Sequence, residues 1–184
     1  MTHQNYNFSA AHATLQRHVD SPLLPGVSTA IIKDGRLIDS FCTGLADIER
    51  GEAMRPDHIH RAYSCTKLMT SVLVMLLIDQ GYFALDDAVK KWLPAFGKLQ
   101  VLREGATRLD DTVPLETDIT IRHLLSHQAG FSHGVFDQGT LIYSAYADAG
   151  VRKPDSTLAQ LMDQMAALPL IYQPGTNWQY SMAT

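Results

Sequence analysis

Phe8, Ala11, Leu15 and Val19 recur at helical intervals and predict a first helix over about residues 7–20, which Pro22 and Pro25 break. Two strand-like runs follow, Val27 to Lys33 and Arg36 to Thr43, separated by Asp34-Gly35. That dipeptide suits the two-residue turn whose twist matches paired antiparallel strands. Both runs carry small or apolar side chains on both faces, which predicts a sheet covered on each side. A polar loop from Asp47 to Pro56 leads towards Val72-Leu73-Val74-Met75-Leu76-Leu77-Ile78. This stretch has no polar face and reads as a helix buried all round. Gly81 stops it, and Asp86 or Asp87 can cap a short helix ending at Pro94. From 97 to 117 no period is sustained, as in a long loop. Thr120 caps a helix running to His127 that Gly130 closes. Leu158, Leu161, Met162, Met165 and Leu168 form the stripe of a last helix, which starts at Asp155 or Ser156 and stops at Pro169. A lone hairpin is marginal in water, so the sheet needs partner strands that this pattern does not display.

Composition narrows the picture. The chain has 184 residues, of which 46% are hydrophobic and 18% charged, the balance of a soluble globular domain. A net charge of −4 with scattered Lys and Arg argues against nucleic acid as a partner. The longest apolar run is well short of the ~20 residues a membrane span needs. The N-terminus shows no basic stretch leading into an apolar one, so no signal peptide is expected and the compartment reads as cytoplasmic. Cys42 and Cys65 have no metal-binding spacing and read as two free thiols, with a disulfide as the alternative.

Ser64-Cys65-Thr66-Lys67 carries the candidate chemistry. A hydroxyl and an amine three residues apart share a helix face, with Cβ atoms about 5–6 Å apart. Seclusion beneath an apolar helix would favour the neutral amine, and a neutral lysine can take the serine proton. The alternative is a serine at a helix N-terminus with a surface lysine one turn later. Near the end of the chain, Pro174-Gly175 leads to Tyr180, whose phenol could relay a proton; an ordinary core aromatic is the other reading. Two rival sites are weaker. Gly130-Phe131-Ser132-His133-Gly134 fits the G-x-S-x-G elbow, but a helix precedes it where a strand is needed, and no histidine follows His133. There the glycines shape a loop. His58, His60, His123 and His127 lack the H-E-x-x-H pattern and an obvious further ligand, so no metal is expected.

With these residues in place, the chain resembles the serine β-lactamase and penicillin-binding superfamily, and most closely its class C-like carboxylesterases. The hairpin corresponds to the first two strands, and Tyr63-Ser64-Cys65-Thr66-Lys67 matches S-x-x-K. Ile119 to Gly130 is a family-like stretch, and Pro174-Gly175 leading to Tyr180-Ser181 matches the approach to Y-x-N. The resemblance implies an α+β fold, an antiparallel sheet flanked by helices with an inserted helical region. It implies one incomplete domain over 1–184. Residues 7–62 would hold the first helix and hairpin, 63–80 the S-x-x-K helix, and 81–184 a mostly helical region ending at the tyrosine motif. Ser64 would be the acylated nucleophile, with its backbone N–H as half of the oxyanion hole. Lys67 would be the base, and Tyr180 the proton shuttle. Tyr63, Trp178 and Met182 are candidate substrate contacts, although Trp178 and Tyr172 are equally suited to core packing.

Met182 stands where the family's lactamases and peptidases carry Asn, and a thioether cannot hydrogen-bond an amide as Asn does. The expected activity is therefore cleavage of short-chain carboxylic esters, with no cofactor. A β-lactamase or D-Ala-D-Ala carboxypeptidase is the alternative within the superfamily, acting on a small-molecule β-lactam or peptide. A non-catalytic truncated relative that binds a partner is the alternative outside it. The family's further strands, one with the K/H-T/S-G-like motif, do not occur in these 184 residues. The chain is thus expected to be a poorly active fragment.

Overall fold

Asp34 and Gly35 both have positive φ, 50° and 72°, the backbone that lets a two-residue turn follow the twist of its strands. In the computed structural model, which describes residues 6–151 and 153–183, this turn joins β1 (Gly26–Lys33) to β2 (Arg36–Asp47). The chain divides into two units, one ending at Ala62 and the other starting at Tyr63. In the first, α1 (Ser9–Asp20) packs over β2. The His12 ring stacks on Phe41 with centroids 4.2 Å apart, and its Nε2 lies 2.8 Å from Asp39. A short strand β3 (Glu52–Ala53) pairs with the end of β2. The expected polar loop is therefore partly a return to the sheet, and two residues are too few for alternation to reveal it. At the hairpin tip the expected cover is missing, with Ile32 and Leu37 67% and 62% exposed, while most of the remaining strand residues are half-buried.

The second unit holds the core, in which Phe96, Leu99, Val101, Phe131, Tyr146 and Leu170 are central. Two 3₁₀ turns, Val89–Lys91 and Pro94–Lys98, lead into a small sheet of β4 (Gln100–Leu102) and β5 (Thr112–Pro114). The stretch expected to be a long loop is thus organised, and Leu170 extends β4 through bonds to Gln100 and Leu102. Asp87 does not cap the first of these turns. Its carboxylate accepts the Ala84 N–H at 2.9 Å and pairs with Lys91, while Asp86 pairs with Arg122. Thr120 does cap α3 (Ile121–Leu125), in a reciprocal capping box with His123. The last helix, α5 (Leu158–Ala166), is capped by Thr157 with Gln160, just after the expected start. Between them α4 (Leu141–Asp148), capped by Thr140, was not foreseen. Its mixture of Leu, Ile, Ala, Ser and Tyr has no clear polar face to mark it.

The apolar helix α2 (Cys65–Asp79) is the main correction. No residue of it is buried, and Leu68, Met69, Val72 and Leu73 are between 55% and 69% exposed. A side chain's hydrophobicity sets what it would gain by burial, not whether a neighbour is there to cover it. The helix does stop where expected. Gly81 has φ 79°, its N–H bonds to the Ile78 carbonyl at 2.9 Å, and the Tyr82 N–H bonds to Leu77 at 3.1 Å. This is the paired arrangement that ends a helix on a left-handed residue. Among the described residues, no helix is long and apolar enough to cross a membrane.

Two substitutions test these helix ends. A Cβ at Gly81 would meet nothing within 4 Å, so Gly81→Ala should cost only the left-handed backbone penalty, about 1–2 kcal/mol. Thr157→Ala should cost about 1 kcal/mol through loss of the cap. Urea titrations should show lowered midpoints at unchanged slope, and an unmoved midpoint would mean that end is already frayed.

Candidate active site

Ser64 stands at the N-terminus of α2 but does not cap it, since its side chain makes no hydrogen bond to the first-turn amides. A serine in this position normally spends its oxygen on such a bond. Here the hydroxyl and the Lys67 amine both lie close enough to the Tyr180 phenol to lower its pKa. The Lys67 Nζ lies 4.8 Å from the centre of the Tyr180 ring. The nearby Ser64 hydroxyl, then the Lys67 amine, with the lysine's charge adding to them, hold the Tyr180 phenol below its usual range. Donors aimed at an oxygen favour its ionised form. Tyr63, just before the nucleophile candidate, has φ 44°, a left-handed conformation that a bulky residue rarely adopts.

Seclusion of Lys67 does not hold. The residue is half-buried on an exposed helix, and Ser64 is exposed. The amine sits beside a phenol rather than in a dry core.

Tyr180 reaches this position because residues 170–181 lie along the tail of α3. The Ile171 N–H bonds to the Gly130 carbonyl at 2.8 Å, Gly175 to Gln128 at 2.9 Å and Gln179 to His127 at 3.1 Å. Gly130 permits the close approach: its φ is 87°, and a Cβ would fall 2.4 Å from the Tyr172 carbonyl oxygen. His127, itself left-handed at φ 58°, accepts the Ser181 N–H on Nδ1 at 3.2 Å. Its ring lies 4.8 Å from that of Tyr180 and edge-on to Trp178 at 6.1 Å. On the other side His133 stacks on Tyr180 at 5.3 Å, and Phe136 lies 6.0 Å away. The sequence did not single out His127 or Phe136 for this neighbourhood. His127 had drawn attention only as a possible metal ligand.

The remaining candidates fall in different surroundings. Tyr63 is 77% exposed and Trp178 58% exposed. Met182 faces inward, lining an apolar cavity of about 80 Å³ with Phe96, Leu124, Phe131 and Leu161, so its side chain serves the core. Ser132 is wholly buried. Its N–H donates to the Tyr146 hydroxyl at 3.1 Å, its Oγ accepts the Gly134 N–H at 3.1 Å, and its hydroxyl donates to Asp137. Burial pushes the Tyr146 phenol up to about 12. This is a loop-holding network without access for a substrate. His58 pairs with Glu52, and His123 belongs to the cap of α3. No group of three His, Cys, Asp or Glu side chains that could hold a metal ion forms among the described residues. Cys42 and Cys65 are free thiols.

A model of the Beta-lactamase family matches residues 11–184, and the chain belongs to that family. It is 33% identical over 162 residues to esterase EstB of Burkholderia gladioli, covering 87% of this chain and 38% of the esterase. It is 30% identical over 175 residues to lovastatin esterase of Penicillium rubens, covering 91% and 42%. Among solved structures, EstCE1, a hydrolase with promiscuous acyltransferase activity, superposes with a TM-score of 0.73 at 28% identity. That match covers 93% of this chain and 42% of the other. The fold is accordingly the mixed α+β arrangement of β-lactamase-like esterases and acyltransferases. The chain spans less than half the length of the curated relatives it matches.

His123 gives this region a pH dependence. Its Nδ1 accepts the Thr120 N–H at 3.3 Å, and its Nε2 lies against Gly175 of the docked segment. Burial holds its pKa below the ordinary value. The unfolded chain therefore takes up this proton first as pH falls. Stability should be complete above about pH 6.5 and decline as pH drops towards the lower folded-state value. Urea midpoints at pH 7.5 and 5.0 should differ in that sense, and His123→Asn should shrink the difference. An equal difference in the variant would assign the effect to other groups.

Proposed function

We propose that this chain supplies the nucleophile and proton-transfer groups of a serine hydrolase that cleaves short-chain carboxylic esters through an acyl-Ser64 intermediate. The observation that carries the reading is the convergence of Ser64 and Lys67 on the Tyr180 phenol oxygen. Both groups lower the phenol's pKa, so its ionised form is more accessible, and that form can receive the proton that Ser64 gives up as it attacks the ester carbonyl. Tyr180 is then the immediate base, and Lys67 acts by holding its negative charge. On acylation the proton held by Tyr180 passes to the departing alkoxide, and water reverses the sequence to release the acid. The Ser64 N–H would serve as one oxyanion donor. Tyr63 and Trp178 are exposed aromatic surface suited to an apolar part of the substrate, whereas the inward-facing Met182 is not.

Esters are favoured over β-lactams because Met182 stands where an amide-binding Asn would be needed, and because the named relatives include esterases. Full activity, in this reading, requires further polypeptide of the β-lactamase-like fold to cover the apolar face of α2 and supply the second oxyanion donor. Its support is the exposure of Leu68, Met69 and Val72 and the share of each relative's length that the chain spans.

A fluorophosphonate probe for active serines tests the assignment. Labelling should vanish in Ser64→Ala and persist in Ser132→Ala. It should slow by about 10²–10⁴-fold in Tyr180→Phe, the range for loss of a general base, with Lys67→Ala also slowed. Activity should be weak in the 184-residue chain and strong in any longer natural product that contains it. p-Nitrophenyl ester turnover without cephalosporin turnover would separate esterase from lactamase. Persistent labelling of Ser64→Ala would sink the reading.

A further inference from the structure

We propose that His127 is the positioning residue for Tyr180, holding the tyrosine over Lys67 by accepting the Ser181 backbone N–H on its Nδ1. The inference rests on the reading of Ser64, Lys67 and Tyr180 as one proton-transfer group. His127 grips both sides of the tyrosine: its carbonyl oxygen accepts the Gln179 N–H at 3.1 Å, and its ring nitrogen accepts that of Ser181 at 3.2 Å. The Tyr172 hydroxyl donates to the same carbonyl at 3.1 Å. Residues 179 and 181 are thus both tied to one residue of another segment, leaving the side chain of residue 180 a defined direction. The imidazole itself lies 4.8 Å from the phenol ring and closes one flank of it.

The backbone of His127 is part of the device. Its φ of 58° turns the chain after α3 so that the carbonyl and the side chain face the same docked segment. The Nδ1 must be unprotonated to accept an N–H. Burial, the Lys67 charge and His133 all lower the His127 pKa and so favour the neutral ring, and the Ser181 N–H then selects the tautomer with a bare Nδ1. The titratable and charged groups near the residue include Lys67 of α2, His133 of the loop after α3, Tyr180, and Tyr172 on its carbonyl. The same lysine that draws Tyr180 towards phenolate therefore keeps the residue that aims it neutral.

The test compares His127→Asn with His127→Gly. Both residues tolerate a left-handed backbone, which limits the risk that a variant simply fails to fold. Asn places an acceptor oxygen near the position of Nδ1, and Gly removes it. The primary readout is the ultraviolet titration of Tyr180, isolated from the other six of the seven tyrosines by subtracting the same titration of Tyr180→Phe. Asn should keep the lowered midpoint. Gly should return it towards the ~10 of an unperturbed tyrosine and slow fluorophosphonate labelling at least tenfold. A Tyr180 midpoint unchanged in His127→Gly would overturn the inference, and so would an Asn variant as impaired as the Gly variant. The phenol titration needs no turnover. Failure of the hydrolase reading, seen as persistent labelling of Ser64→Ala, would therefore be distinguishable from failure of the role given to His127.

Discussion

The candidate site depends on one non-local pairing, the docking of residues 170–181 along the tail of α3. Without it Ser64 and Lys67 are a hydroxyl and an amine on a solvent-facing helix turn. With it the Tyr180 phenol comes beside both, and both lower its pKa. The pairing is a short ladder of backbone bonds through Gly130, Gln128 and His127, fastened between its first two rungs by Gln173. That side chain donates to the Pro114 carbonyl and accepts the Glu116 N–H. At Gly130 the approach is close enough that a Cβ would clash with the Tyr172 carbonyl oxygen.

Within the second unit, apolar surface is handled in two ways. The segment from Val89 to Leu170 encloses a core around Tyr146 and Leu170 and so fixes the scaffold on which α3 and the docked segment rest. By contrast α2, the most apolar helix of the chain, contributes no buried residue. The nucleophile candidate therefore sits beside Tyr180 of a well-founded segment, on a helix that packs little of its own surface. Removing the tyrosine contact would loosen Ser64 more than the geometry of α2 alone suggests.

Local signals were readable in the sequence and distant ones were not. Asp34-Gly35 and Gly81 announced their turns because each requires a left-handed backbone. Thr120 announced α3 through its cap, and the apolar stripe announced α5. S-x-x-K and Tyr180 were legible as a family pattern, but their meeting depends on contacts between residues more than a hundred apart. The strands β3, β4 and β5 are two or three residues long and exist through their partners, which no local window reveals. The role of His127 was hidden for the same reason. Its partner Ser181 lies 54 positions away, so its spacing from His123 invited a metal reading instead. Burial of α2 was inferred from composition, which records appetite for a neighbour rather than its presence.

The unused cap at Ser64 has an electrostatic consequence. No acidic residue occupies the first turn of α2 and no side-chain oxygen answers its leading amides. The partial positive charge that aligned peptide dipoles accumulate at a helix start thus meets no carboxylate in the first turn and no capping oxygen from Ser64. It falls on the one position where an alkoxide, and then a tetrahedral oxyanion, would form. The axis of this helix is itself an electrode pointed at the reacting oxygen, and an aspartate introduced at Thr66 would dim that field without touching any of the three side chains.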